Sequence, residues 1–511
     1  MDLCSLIERN AAFASEKPAI RFEGKSLSYA AFNARIEQTA RALKSQLGVS
    51  PGDRVAILSL NRPEYLVLLY ACARLGAMLV PLNWRLAAAE QMFVLSDAAA
   101  KVIVLEQAFS AILPPLEKQL PETSVVGFDF APARGTSFET LLTQAHGDGR
   151  NPHTDLSCPL LIVYTSGTTG RPKGAVLRQD ALLWNSVMSQ HMHGLTSDDH
   201  VLTVLPFFHV GGLNIQTTPA LHHGATVTIH SRFTPEATLT AIERDRPTLT
   251  VLVPATIQAV SDHPRWSTTD LSSLKAISTG STIVPQHLID RFVARDVPVL
   301  QVYGSTETCP IAVYTRLGGD LSREGSTGLP GLCCEAAIID DADRELPPDV
   351  PGEIAVRGPN VFYKYWGNEE ATREALHDGW YRTGDLGRRD AEGYFWVHDR
   401  KKNLIISGGE NIYPAEVERV LLEHPDVSEC GVIGRRDARW DEVPVAYVIR
   451  RTGRLVDADG LKAHVETQLA RFKVPREFVF VDDLPRTALG KVQHFMLKQI
   501  DVRISVQGDA S

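Results

Sequence analysis

Apolar positions along the first half of the chain follow two alternating periods. Tyr29, Phe32, Ile36, Ala40 and Leu43 recur at helical spacing, and Ser28 stands where a hydroxyl can cap the first turn. The continuous apolar runs Val55-Ala56-Ile57-Leu58, Ala77-Met78-Leu79-Val80 and Leu160-Leu161-Ile162-Val163 read as buried strands, with a helix from Pro63 to Ala73 between the first two. Such alternation predicts parallel α/β units. The stretch from Tyr65 to Leu82 is almost wholly apolar. Arg74 in its middle and the break at Gly76 make it a buried helix and strand rather than a membrane span.

Near residue 400 the pattern changes. Pro414 suits the first turn of a helix carrying Val417, Val420 and Leu421. Strands at Cys430-Gly431-Val432-Ile433 and Val445-Ala446-Tyr447-Val448-Ile449 follow, then a helix with Leu461, Val465 and Leu469. This predicts a small α+β domain of about 110 residues, a normal size.

Composition narrows the class. A chain of 511 residues exceeds one ordinary core and predicts about three to four domain-sized units. With 44% hydrophobic and 22% charged residues it has a soluble, globular profile, and a net charge of −9 argues against a nucleic-acid surface. Seven scattered cysteines without a CxxC predict free thiols in a reducing compartment, and no apolar leader is visible, so the expected location is cytoplasmic.

The most informative segment is Tyr164-Thr165-Ser166-Gly167-Thr168-Thr169-Gly170-Arg171-Pro172-Lys173-Gly174. After Tyr164 it has no large apolar side chain. Glycines that free backbone N–H groups, together with four hydroxyls and a lysine, make a phosphate cradle. The loop leaves a strand end, where α/β proteins usually hold ligands. It fails the Walker A spacing, because Lys173 precedes Gly174 and no Ser or Thr follows. It resembles, residue for residue, the signature loop of the adenylate-forming superfamily of acyl-CoA synthetases, adenylation domains and luciferases.

Further motifs appear in that superfamily's order, and the resemblance covers essentially the whole chain. In Gln301-Val302-Tyr303-Gly304-Ser305-Thr306-Glu307-Thr308, following an expected strand Val297-Pro298-Val299-Leu300, it implies that Tyr303 stacks on adenine, Thr306 meets phosphate and Glu307 holds Mg²⁺. One carboxylate suffices there, since Mg²⁺ keeps waters and phosphate oxygens. In Trp380-Tyr381-Arg382-Thr383-Gly384-Asp385, it implies that Asp385 accepts the ribose hydroxyls. In the segment from Asp399 to Ile412, Arg400 would contact ribose and phosphate, Lys402 would be the hinge, and Ser407-Gly408-Gly409 would line the pantetheine channel. Asn403 departs from the acidic residue common at its position, which implies altered hinge energetics. In Pro485-Arg486-Thr487-Ala488-Leu489-Gly490-Lys491, Lys491 is the lysine that would bridge carboxylate and α-phosphate.

Pro206-Phe207-Phe208-His209-Val210-Gly211-Gly212-Leu213-Asn214 resembles the element facing the acyl group, with His209 as an aromatic gate. Phe208 occupies the position where amino-acid-activating relatives carry Asp. Ser278-Thr279-Gly280-Ser281-Thr282 resembles the loop along the adenine and acyl pocket, with Gly280 leaving room.

The expected fold is therefore α/β: a large N-terminal body of several subdomains (1–399), a hinge (400–402) and a small mobile α+β lid (403–511). The expected reaction is AMP-forming acyl-CoA ligation with ATP, Mg²⁺ and CoA. Its catalytic residues would be Thr165, Lys173, His209, Glu307 and Lys491. Ser166, Gly167, Thr168, Thr169, Gly170, Gly280, Ser281, Tyr303, Gly304, Ser305, Thr306, Asp385, Arg400, Lys402, Gly408 and Gly409 would complete the nucleotide and CoA site. Small residues (Gly211, Gly212, Gly280, Ala312) and the neutral gate suggest an apolar acid, with a fatty acid first and an aryl or hydroxycinnamoyl acid next. A carrier protein as thiol acceptor is a further alternative, and a homodimer is left open.

Overall fold

The computed structural model describes residues 1–165, 172–280, 284–407, 410–437, 440–486 and 492–508. It divides into two compact units, one of residues 1–336 and 355–382, the other of 337–354 and 383–511.

The first unit is built on two sheets. One runs Lys364–Tyr365, Lys173–Arg178, Pro159–Thr165, Met78–Pro81, Arg54–Leu58, Val102–Leu105, Ser124–Gly127 and Thr136–Ser137. It is parallel from Pro159–Thr165 onward, and the first two pairings are antiparallel. The other runs Leu329–Pro330, Val313–Tyr314, Val299–Tyr303, Ala276–Gly280, Leu249–Val251, His200–Thr203, Thr226–Ile229, Pro18–Phe22 and Lys25–Ser28, with six parallel strands in its middle. Strand alternation sends successive side chains to opposite faces. Val55, Ile57, Ala276 and Leu300 accordingly join one large core with the helices Tyr29–Leu47, Pro63–Leu75 and Gln179–His193. Ala56 and Leu58 pack on the outer side against Ala88–Asp97, and Ile277 and Val299 against Pro235–Asp245 and Gln286–Val293.

The local expectations are met at Ser28, whose hydroxyl accepts from the Ala31 N–H at 3.3 Å. The apolar stretch after Tyr65 is a buried helix and a strand, and among the described residues no helix is long and apolar enough to cross a membrane. Arg74 within it pairs with Glu8 and lies 3.6 Å from Glu37. Two boundaries differ from expectation. The strand expected to start at Val297 runs from Val299 to Tyr303, so Tyr303 ends the strand instead of following it. Pro298 has no N–H to donate to a ladder and joins it only through its carbonyl, which accepts from the Ile277 N–H at 2.9 Å.

In the second unit the strands Glu410–Ile412, Ile405–Ser407, Asp441–Arg450 and Val427–Asp437 form a sheet joined by Glu477–Phe480. Helices Pro414–Glu423 and Ala458–Glu466 cover it, burying Val417, Val420, Leu421, Leu461 and Val465. Leu469 lies beyond the second helix, packed against the same core from the following turn.

Candidate active site

Thr165 is the last residue of its strand and pairs with Lys173, which opens the return strand. Ser166, Gly167, Thr168, Thr169 and Gly170 lie outside the described residues, as do Ser281, Gly408, Gly409 and Lys491. The cradle is therefore seen at its two ends. Lys173 Nζ stands 5.3 Å from the centre of the Tyr365 ring, a cation–π contact. The Tyr365 hydroxyl in turn donates to Glu307 Oε1 at 2.8 Å. One tyrosine thus links the lysine of the cradle to the candidate metal-binding carboxylate. Tyr365 escaped the sequence reading, because an aromatic in the run Tyr363-Lys364-Tyr365-Trp366 has the look of packing.

Glu307 is buried in a short 3₁₀ turn, Thr306–Thr308, and its carbonyl accepts from the Phe362 N–H at 2.7 Å. The turn is tight because Gly304 precedes it: a Cβ there would stand 1.8 Å from the Pro310 carbonyl oxygen. The Ser305 N–H donates to Thr308 Oγ1 at 2.9 Å, while Ser305 Oγ is buried with no partner among the described residues. Asn360 holds the far side of the turn, donating to the Thr308 and Ile311 carbonyls at 3.0 and 2.8 Å. No cluster of three or more metal-ligating side chains occurs among the described residues. A single hard carboxylate beside hydroxyls fits a Mg²⁺ ion that arrives with phosphate oxygens and waters.

The gate element is pinned from below. Buried Asn61 accepts from the Phe207 N–H at 2.8 Å and donates to the Leu205 carbonyl at 2.8 Å. Phe208 packs 5.0 Å from the His209 ring and 6.2 Å from Trp84, with the Arg85 guanidinium 4.8 Å from the Trp84 ring. Burial, with Arg85 adding to it, pushes the His209 imidazole down to about 4, so it is neutral at physiological pH. Of the glycines expected to leave room for an acyl tail, Gly211 is the one where an added Cβ would not be crowded among the described residues, meeting only Ile215 Cδ1 at 4.0 Å. A Cβ on Gly212 would meet the Pro206 and Leu205 carbonyls at 2.4 and 2.6 Å, and one on Gly280 the Val302 carbonyl at 2.2 Å. Those two glycines serve close backbone packing.

In the second unit Asp385 stands opposite Arg400 on paired strands, and its Oδ1 lies 2.6 Å from Arg400 Nε. Asp385 is in the long strand Trp380–Arg389 and not in a turn, with Gly384 supplying a left-handed φ of 69° just before it. Glu353 accepts from the Gly384 N–H at 3.0 Å and holds Lys401 at 3.2 Å, a support that sequence motifs do not mark. Lys402 lies in the 3₁₀ turn Lys401–Asn403, where burial and then Arg400 lower its pKa against the pull of Asp385. Asn403 donates to Asp399 Oδ1 at 3.0 Å, and Asp399 Oδ2 accepts from the Ala415 N–H at 2.7 Å at the start of the next helix.

The sequence profile of the AMP-binding enzyme family matches residues 7–366, and that of the AMP-binding enzyme C-terminal domain matches 416–491. The chain belongs to the AMP-binding enzyme family. It is 50% identical over 505 residues to the indoleacetate–CoA ligase of Aromatoleum aromaticum, covering 98% of this chain and 99% of that one. It is 40% identical to the feruloyl-CoA synthase of an Amycolatopsis species, covering 95% and 96%. The solved structure of the Bacillus subtilis O-succinylbenzoate coenzyme A synthetase with ATP and magnesium superimposes with a TM-score of 0.87 at 32% identity, covering 98% and 99%. This AMP-binding enzyme is an AMP-forming acyl- or aryl-CoA ligase, an acid–thiol ligase that uses ATP, Mg²⁺ and CoA. A fatty acid as substrate finds no specific support among these relatives.

Proposed function

We propose that this ligase activates an aromatic carboxylic acid. The reading rests on the two relatives that bear the names of indoleacetate and ferulate, and the neutral aromatic gate of Trp84, Phe208 and His209 is consistent with it. The acid's carboxylate attacks the α-phosphorus of ATP and pyrophosphate leaves. The CoA thiolate then attacks the acyl carbon and AMP leaves.

Thr165, Lys173 and the loop between them hold the phosphates, and Lys491 balances charge that builds during adenylation. Tyr303 stacks on adenine, Thr306 contacts phosphate, and Asp385 with Arg400 holds the ribose. Glu307 would hold Mg²⁺, which when bound offsets phosphate charge, and Tyr365 fixes the Glu307 carboxylate for it. Lys402 is the hinge between a body of 1–399 and a lid of 403–511, and Gly408-Gly409 admit the pantetheine. The cytoplasm is the proposed site of action, in keeping with seven unpaired cysteines.

The test is AMP release with ATP and Mg²⁺ over aromatic and fatty acids, with and without CoA. CoA-dependent release confined to aromatic acids is expected. Release only with fatty acids, or turnover indifferent to CoA, would overturn the reading.

A further inference from the structure

The helix Gln179–His193 carries an unusual polar stripe into the core: Asn185, Ser186, Ser189 and His193 are all buried. Most of it anchors irregular backbone. Asn185 donates to the Asn214 carbonyl at 2.6 Å and accepts from the Ile311 N–H at 3.2 Å, and Ser189 donates to the Ile215 carbonyl at 2.6 Å.

His193 begins a different chain of contacts. Its Nδ1 is 2.7 Å from the Ser189 carbonyl, which can only accept, so Nδ1 carries the proton. Burial pushes this imidazole down to about 4, so Nε2 is a bare lone pair at neutral pH. Ser278 Oγ, 2.7 Å from Nε2, must therefore donate to it. That hydroxyl then accepts from Gln216 Nε2 at 3.2 Å. Each assignment forces the next, and the last fixes the Gln216 amide with its nitrogen toward Ser278. Among the described residues Gln216 Oε1 is left buried without a partner, on a residue only 1% exposed. A buried amide oxygen without a donor is unfavourable, so its place calls for an explanation.

Gln216 closes the segment that starts at His209, and a Cβ on Gly211 in that segment would meet only Ile215 Cδ1, at 4.0 Å, among the described residues. Ser278 shares a strand face with Gly280 two residues further on, about 7 Å along the strand. We infer that Gln216 reads a hydrogen-bond donor, a ring N–H or a phenolic O–H, on the part of the aromatic acid remote from its carboxylate. Ser278 and His193 act through Gln216 as positioning residues. The inference rests on the aromatic reading above and deepens it.

The experiment compares kcat/KM within isosteric pairs: indole-3-acetate against benzofuran-3-acetate, and 4-hydroxyphenylacetate against phenylacetate. The first pair isolates a ring N–H and the second a phenolic O–H. The wild-type enzyme is expected to favour the donor-bearing member of one pair by about tenfold or more. Gln216→Met brings that ratio toward one, and Ser278→Ala, which frees the amide without deleting it, moves it the same way. A ratio cancels general losses from imperfect folding, and the serine variant decides the matter if the methionine variant is insoluble. Wild-type ratios near one with both members turned over, or a preference that survives both substitutions, would overturn the role of Gln216 while leaving the aromatic reading intact. Turnover of no aromatic acid would overturn both.

Discussion

At the scale of single residues, Tyr365 carries the clearest test. Tyr365→Phe keeps the ring that Lys173 faces and removes only the hydroxyl on Glu307. A hydrogen bond to a charged group is worth about 1.5–3 kcal/mol, so the Mg²⁺ concentration for half-maximal AMP release should rise by about tenfold or more, with kcat at saturating Mg²⁺ much less affected. An unchanged Mg²⁺ dependence would remove Tyr365 from the site. His193 gives a pH prediction. Its folded-state pKa of about 4 lies below the ordinary imidazole value of 6.5, so the unfolded chain binds more protons between those two values. Stability is then complete above pH 6.5 and falls on acidification toward 4, by about 3 kcal/mol for this group alone. Thermal unfolding across that range should show the decline, and His193→Gln should make it shallower, with the shares of buried His209 and His222 remaining.

At the scale of elements, the 3₁₀ turn Thr306–Thr308 depends on Gly304. With the Pro310 oxygen 1.8 Å from an added Cβ, Gly304→Ala must shift backbone on one side or the other. Overpacking of this kind costs about 1–3 kcal/mol, and misplacing a site by 1 Å costs about a hundredfold in rate. The variant should therefore fold with a lowered Tm and lose about two orders of magnitude in kcat/KM for ATP, read by pyrophosphate exchange. A variant with wild-type exchange would show the turn to be indifferent. Other glycines behave differently at this scale. Gly212 and Gly280, legible as small residues near a pocket, are glycines because carbonyls crowd them.

At the scale of the whole molecule, the two half-reactions ask for different things. Adenylation builds charge at the α-phosphate, which the proposed Lys491 offsets; thioester formation needs the lysine gone and the thiol admitted. Lys491→Ala should therefore slow acyl-adenylate formation by about a thousandfold while sparing thioester formation from preformed acyl-adenylate. Equal loss in both half-reactions would remove the lysine from this role.

The alternation of helical and strand periods determined the α/β body, because burial of one face is written into spacing, whereas the second compact unit takes in residues 337–354 and 383–511, a division that no change of period marks. The short motifs supplied the proposed chemistry, since a phosphate cradle or a lone carboxylate in a glycine-rich turn needs particular residue types close together in the chain. What the tertiary structure alone decided are pairings across long separations. Tyr365 on Glu307, Asn61 on the Phe207 backbone, Glu353 on Gly384 and Gln216 on Ser278 join residues 31 to 146 positions apart. None has a local signature, because a hydrogen bond between distant segments depends on which strands lie side by side and not on what neighbours each residue in sequence. The direction of the Gln216 amide is the extreme case: it follows from a chain of proton assignments through Ser278, His193 and the Ser189 carbonyl that exists only once the helix Gln179–His193, the strand Ala276–Gly280 and the segment before Thr217 are packed together.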